Sequence, residues 1–355
     1  MWGAYRRLLK RGILSINPRN SDYVLRYNRR KLYPLVDDKL KTKRLALQAG
    51  IAVPPLYELI ETEHQIKKLE HLLQPYSDFV IKPARGAGGD GIIVITDKVF
   101  GRYRQINGKL LTLQELSYHL SCLLSGAYSL GGHPDYAIIE RRVIVDPVFA
   151  EVSYEGIPDI RIICLLGYPA MAMVRLPTRQ SGGKANLHQG AIGTGINLAN
   201  GLTLGGVYHN DTIDYHPDTL KPIVDIAVPY WDKILEISAS CYELTGLGYL
   251  GVDIVLDKEH GPLMLELNAR PGLNIQIANG SGLLPRLDLV KKNIYLHGES
   301  SDLLFEKINL HLMLQENNKA KEDALRFKER LSVEDLLFEK VLAILEFLKE
   351  EGTNS

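Results

Sequence analysis

The sequence predicts an α+β protein of two lobes, each built on a largely antiparallel sheet. Three observations carry that reading. Gly251–Asp257 and the run from Met264 to Gly272 form two strands joined by the turn Lys258-Glu-His-Gly261. Apolar runs near 160–167 and 169–176 supply two more strands. Helical patterns at about 37–49, 62–74, 112–124 and 222–245 lie between the strand segments.

Each element has a local reason. Residues 1–36 form a basic, partly helical lead-in with turns near Asn17-Pro18 and Tyr33-Pro34. Asp37 or Asp38 caps the helix at 37–49; Leu40, Leu45, Ala46 and Ala49 supply its apolar face, and Gly50 stops it. Ile51–Pro55 is a short extended piece. Asp78–Lys82 and Ile92–Ile95 are strands on either side of a glycine-rich loop, 84–91. Asn107-Gly108 between short apolar segments marks a hairpin. Tyr136–Glu140 is a strand, and 178–206 is a long section rich in glycine and asparagine. Past Pro285 the composition turns to charged amphipathic helix, with Ser332-Val-Glu-Asp335 as a capping signal. The pieces divide the chain into 1–36, 37–145, 146–285 and a helical tail, 286–355.

With 355 residues, 45% apolar and 24% charged, the composition is that of a globular protein with room for two or three packed units. No run of about 18 apolar residues predicts a spanning helix, and the N-terminus lacks the apolar core of a secretory signal. Cys122, Cys164 and Cys241 are widely separated, so they are expected to be reduced, and the protein cytoplasmic. Net charge is zero but unevenly spread. Residues 1–44 hold thirteen Lys/Arg against three Asp/Glu. That basic arm, with Trp2, Tyr5, Tyr23, Tyr27 and Tyr33, could touch nucleic acid or an anionic membrane surface. It is expected rather to contact solvent, an acidic partner or the body of the protein. No recognised nucleic-acid module supports a nucleic-acid role.

Four pieces carry chemistry. Asp253, Glu266 and Asn268 are hard oxygen donors inside apolar strands, a pattern suited to Mg²⁺ and nucleotide phosphates. Strand alternation sends Glu266 and Asn268 to one face, and the hairpin can bring Asp253 opposite. The loop after Lys82 holds Gly86, Gly88, Gly89 and Gly91, which let backbone N–H groups approach phosphate oxygens. It fits neither the Walker spacing nor a dinucleotide fingerprint, and such a loop is as often a surface turn. The third piece is Asp38-Lys39 at the helix start. The fourth is Ile138–Val143, a strand edge able to offer backbone groups to an adenine ring.

In this order the pieces resemble the ATP-grasp superfamily. Asp159-Ile-Arg161, Asn186-Leu-His188 and Asn268-Ala-Arg-Pro-Gly272 resemble the branch of the ribosomal-protein glutamate ligase and its α-L-glutamate ligase relatives. The resemblance covers about 37–285. It implies an ATP-grasp fold whose two lobes clasp the nucleotide. Lys39, Lys82, Arg85 and the 84–91 lid would contact ATP, with Glu140, Arg141 and Val143 as adenine hinge. Asp253, Glu266 and Asn268 would hold two Mg²⁺ ions, with Mn²⁺ as a substitute. Arg161, Asn186, Arg175, Lys184 and Arg270 would serve catalysis, and His188 and Arg270 the substrate. The implied reaction is ATP-dependent joining of a carboxylate to an amine, an amino acid with a peptide or protein, through an acyl phosphate. A phosphotransferase and a nucleotide-binding regulator without turnover are the alternatives.

Relatives usually carry a whole α/β domain before the Asp-Lys helix, where this sequence has about 36 residues. The substrate wall is therefore expected to be smaller, borrowed from a second copy in a homodimer, or supplied by a partner protein.

Overall fold

The computed structural model describes residues 10–86, 88–209 and 211–297. Residues 1–9 of the lead-in, Ala87 of the loop and the tail beyond 297 lie outside the described residues. No described helix is long and apolar enough to cross a membrane.

Two antiparallel sheets organise the chain. The first contains β1 (Leu56–Ile60), β2 (Phe79–Pro83), β3 (Ile93–Val99), β4 (Arg102–Gln105), β5 (Leu110–Leu111) and β6 (Ala137–Glu140), in the order β1-β6-β2-β3-β4-β5. Its two faces are covered by different helices. Ile139 and Ile81 face α2 (Leu113–Leu124) in a core with Phe79, Leu116 and Leu120. The alternate residue, Ile138, packs with Leu40 of α1 (Lys39–Gln48). Lys82 lies opposite Ile138 and shares the α1 side of the pleat, as does Glu140 two residues on. Thr112 and Glu115 form the expected capping box at the start of α2.

The second sheet runs β11-β10-β9-β8-β7-β12-β13. Its strands are β7 (Asp159–Leu165), β8 (Tyr168–Leu176), β9 (Ile192–Ile196), β10 (Thr203–Tyr208), β11 (Asp211–Ile213), β12 (Tyr249–Asp257) and β13 (Gly261–Asn268). Helix α3 (Trp231–Thr245) packs against β7, β8 and β12, burying Ile234, Leu235 and Cys241. It starts at Trp231 rather than near 222, because Pro222 and Pro229 interrupt the earlier pattern. The helix expected over 62–74 is two short turns, Glu63–Ile66 and Leu69–Leu72.

The section 178–206 contains β9 and the start of β10. Gly193 and Gly195 lie in β9 because other atoms approach closely. A Cβ on Gly195 would stand 2.8 Å from the Ala278 carbonyl oxygen, and one on Gly193 2.8 Å from Leu187.

The described lead-in is a strap along the second sheet. Buried Asn28 donates to the carbonyls of Tyr249 (2.7 Å) and Ala269 (2.8 Å) and accepts from Tyr249 N–H (2.9 Å). Leu14 and Gln276 exchange backbone and amide hydrogen bonds.

Candidate functional site

Helix α1 delivers two lysines. Asp38 is its N-cap, accepting from the N–H groups of Leu40 (3.1 Å) and Lys41 (3.2 Å). Lys43, one turn beyond Lys39, is buried beneath the first sheet. Its ammonium is 2.9 Å from Glu140 Oε2, and Lys82 is 2.5 Å from Oε1. Burial opposes the Glu140 charge, but the two ammonium groups outweigh it and hold the carboxyl below its usual range. Burial likewise lowers the Lys43 pKa, against the attraction of Glu140. Two lysines and one carboxylate leave one positive charge uncompensated in a nearly dry place, which suits an anion.

The second cluster is a row across three strands. Asp253 lies opposite Arg161 of β7 and Glu266 of β13. Arg161 grips Asp253 through Nε (2.7 Å) and Nη2 (2.5 Å), and Arg175 Nη2 reaches the same carboxylate at 2.9 Å. Arg175 also pairs with Asp159. Asn268 Nδ2 lies 3.3 Å from Asp253 and 3.4 Å from Glu266. Burial would raise the Asp253 carboxyl, yet Arg161 and Arg175 hold it well below the usual range. Burial pushes Asp159 up to about 6, with Arg175 opposing and Asp253 reinforcing the rise.

A β-bulge makes this row possible. The strand end pairs Asp257 with Gly261, and a regular ladder from there would set Leu265 opposite Asp253. The register shift between Asp253 and Ile254 adds one residue to β13 and brings Glu266 there instead.

Lys39 links the clusters. Its ammonium donates to the Gly86 carbonyl at 2.5 Å and stands 3.6 Å from Glu266. Nearby, Arg85 lies 3.5 Å from Asp38 and stacks 4.9 Å over Tyr136. Gly88 and Gly89 have left-handed φ of +66° and +82°. Lys184 lies 4.0 Å from Asp90 of the same loop.

Other expected residues have different settings. Arg141 is tied to Asp257 (2.8 Å) and Glu259, so its side chain braces the β12–β13 turn instead of facing the Glu140 cluster. Val143 is buried with Val255 and Leu263. Arg175 is enclosed by two aspartates, a brace for the acidic row rather than a free substrate cation. Asn186 caps a short 3₁₀ turn by accepting from His188 N–H (3.0 Å), and His188 is exposed. Arg270 lies over Tyr33, 5.1 Å from the ring centre. Lys43 was not anticipated. Its signal was a charge three residues from both Leu40 and Ala46, on the apolar side of α1.

Asp253, Glu266 and Asn268 fit a hard divalent cation: two carboxylates and an amide converge on one face with no soft donor among them. Three carboxylates (Asp159, Asp253, Glu266) face three cations (Arg161, Arg175, Lys39) in this region. A metal ion would therefore be favoured when it arrives with anionic phosphates. Asp257, Glu259 and His260 also lie within 4.8 Å of one another. There Asp257 is already engaged by Arg141, the N–H of Ile144 (2.9 Å) and His260.

Two antiparallel sheets, a lysine-bearing glycine loop on one and an Asp/Glu/Asn row on the other, define an ATP-grasp protein. The chain belongs to the sugar-transfer associated ATP-grasp family, whose model matches residues 18–292. Among solved structures, the ATP-grasp ligase PsnB complexed with minimal precursor is similar at 14% identity and TM-score 0.42, covering 74% of this chain and 61% of PsnB. D-alanine–D-alanine ligase from Bacillus anthracis complexed with ATP is similar at 13% identity and TM-score 0.41, covering 81% and 69%. The biotin carboxylase domain of the Hydrogenobacter thermophilus 2-oxoglutarate carboxylase is similar at 16% identity and TM-score 0.40, covering 71% and 47%. The chain thus spans less than two thirds of PsnB. No curated protein matches the sequence.

Proposed function

We propose that this chain is an ATP-dependent carboxylate–amine ligase working through an acyl phosphate. The observation that supports it most is Lys39, held between a glycine-loop carbonyl and an acid of the Asp/Glu/Asn row. In this reading Lys39, Lys43 and Lys82 hold the phosphates, Glu140 orients Lys43 and Lys82, and the backbone of 140–143 borders the adenine. Asp253, Glu266 and Asn268 would hold Mg²⁺, two ions or Mn²⁺ in their place. When bound, the metal neutralises phosphate charge and aligns the terminal phosphoryl group.

A substrate carboxylate oxygen attacks the γ-phosphorus, and the bond to the β-phosphate bridging oxygen breaks to release ADP. The amine then attacks the acyl carbon, inorganic phosphate leaves, and the amine gives up a proton. Such a reaction needs alignment and charge compensation more than a protein nucleophile. Arg161, with Arg175 bracing the row, would stabilise negative charge at the transferring group. Asn186, Lys184, His188 and Arg270 are the proposed substrate-side residues. The family description points the substrate search toward saccharide carboxylates and amines as well as glutamate, other amino acids and peptides. The segments 1–36, 37–145, 146–285 and 286–355 are proposed as functional divisions.

The test is phosphate release with pooled amino acids, peptides and amino sugars, followed by mass spectrometry of the product. Hydroxylamine should trap a hydroxamate, which a phosphotransferase would not yield. Lys82→Ala and Glu266→Ala should each abolish turnover with the fold retained. A double variant with full activity would refute the assignment, and nucleotide binding without turnover across the pool would favour a regulator.

A further inference from the structure

The strap of residues 10–31 contains seven Lys/Arg and one acidic residue, Asp22. Its inner side is fixed by Leu14, Tyr23, Val24 and Asn28, all buried against the body. The outward side carries Lys10, Arg11, Arg26, Arg29, Arg30 and Lys31, all exposed. None of these six forms an ion pair among the described residues. Ile16 and Leu25 lie between them in the sequence, 63% and 62% exposed. Beside Ile16, residues 13–17 and 273–280 enclose an apolar groove of about 830 Å³, with Ile277 58% exposed at its edge. Cations interleaved in sequence with exposed aliphatic side chains, beside an apolar groove, have the composition of an interfacial segment.

We propose that this outer face docks on an anionic bilayer, with the cations on lipid headgroups and Ile16, Leu25 and the groove against the acyl boundary. Charge complementarity fits any polyanion; the apolar groove with exposed Ile16, Leu25 and Ile277 favours a bilayer over nucleic acid. Tyr23 and Tyr33, rings that could stack on bases, are buried instead.

The test is sedimentation of the full chain with vesicles of phosphatidylcholine alone and of phosphatidylcholine with phosphatidylglycerol. Binding is expected only to the anionic vesicles and should weaken with salt. Arg29→Gln, Arg30→Gln and Lys31→Gln together should lower partitioning about 100-fold, at roughly fivefold per cation. Ile16→Ser with Leu25→Ser should lower it about tenfold with the charge unchanged. Unchanged thermal midpoints establish that both variants fold. Absence of vesicle binding would overturn the proposal. So would binding that ignores the Ile16/Leu25 change, or that duplex DNA abolishes at equal charge concentration, which would assign the patch to an acidic macromolecule.

Discussion

Lys43 is a buried charge held by Glu140 and by the Pro54 carbonyl. With Glu140 and Lys82 it forms a nearly dry triad carrying net positive charge. Lys43→Met leaves a neutral Glu140–Lys82 pair but strips Glu140 and the buried Pro54 carbonyl of a donor, so thermal stability without nucleotide should fall. Affinity for ADP should fall about tenfold or more, since a charge-assisted contact is worth roughly 1.5–3 kcal/mol. Calorimetric titration showing unchanged ADP affinity would remove Lys43 from the site. At this scale Asp253, Glu266 and Asn268 were legible because oxygen donors interrupting apolar strands need a reason. Lys43 was not, because a lysine on a helix usually reads as solvent-facing. The setting of the Arg141 side chain has no local signal, because its partners, Asp257 and Glu259, are more than a hundred residues away.

Elements position these groups, and two connections should show it. Removing the Asn28 side chain leaves buried backbone groups of Tyr249 and Ala269 unpaired. Asn28→Ala should therefore destabilise by about 3 kcal/mol, lowering the melting midpoint by roughly 5–10 °C. Asp257 joins the end of β12 to the segment after β6. Burial raises its carboxyl, but Ile144 N–H, His260, Arg141 and Glu259 N–H bring it below the usual range. A depressed carboxyl contributes stability above its unfolded pKa of about 3.9 and loses that contribution as pH falls through the folded value. Asp257→Asn should thus unfold more easily in urea at pH 7, with the gap closing below about pH 4. A gap that widens in acid would contradict the assigned sign. The helix starting at Asp38, the Asn107-Gly108 hairpin and the β12–β13 pair were all readable from local signals. Strand β9 was not, because its glycines imitate loop composition while serving close packing. The bulge in β13 was also hidden, since periodicity reports alternation but not an inserted residue.

For the molecule as a whole, the charge count around the acidic row sets an order of arrival. Mg²⁺ alone should produce little thermal stabilisation, whereas Mg²⁺ with ADP should raise the midpoint, by about 2.7 kcal/mol of added stability at a hundredfold excess over Kd. Stabilisation by Mg²⁺ alone matching that of the pair would show that the carboxylates are not balanced as described. The α+β class and the two-sheet plan were readable from the sequence. How the sheets meet was not, because the contacts that join them, Lys39 with Glu266 and Arg141 with Asp257, pair residues more than a hundred positions apart. Lys39 holds the glycine loop through Gly86 and neutralises Glu266 with the same ammonium. On the proposed function, a triphosphate that draws this ammonium away would free the Gly86 carbonyl and uncover the acid in one movement, so filling the nucleotide pocket and priming the cation ligands would become a single event.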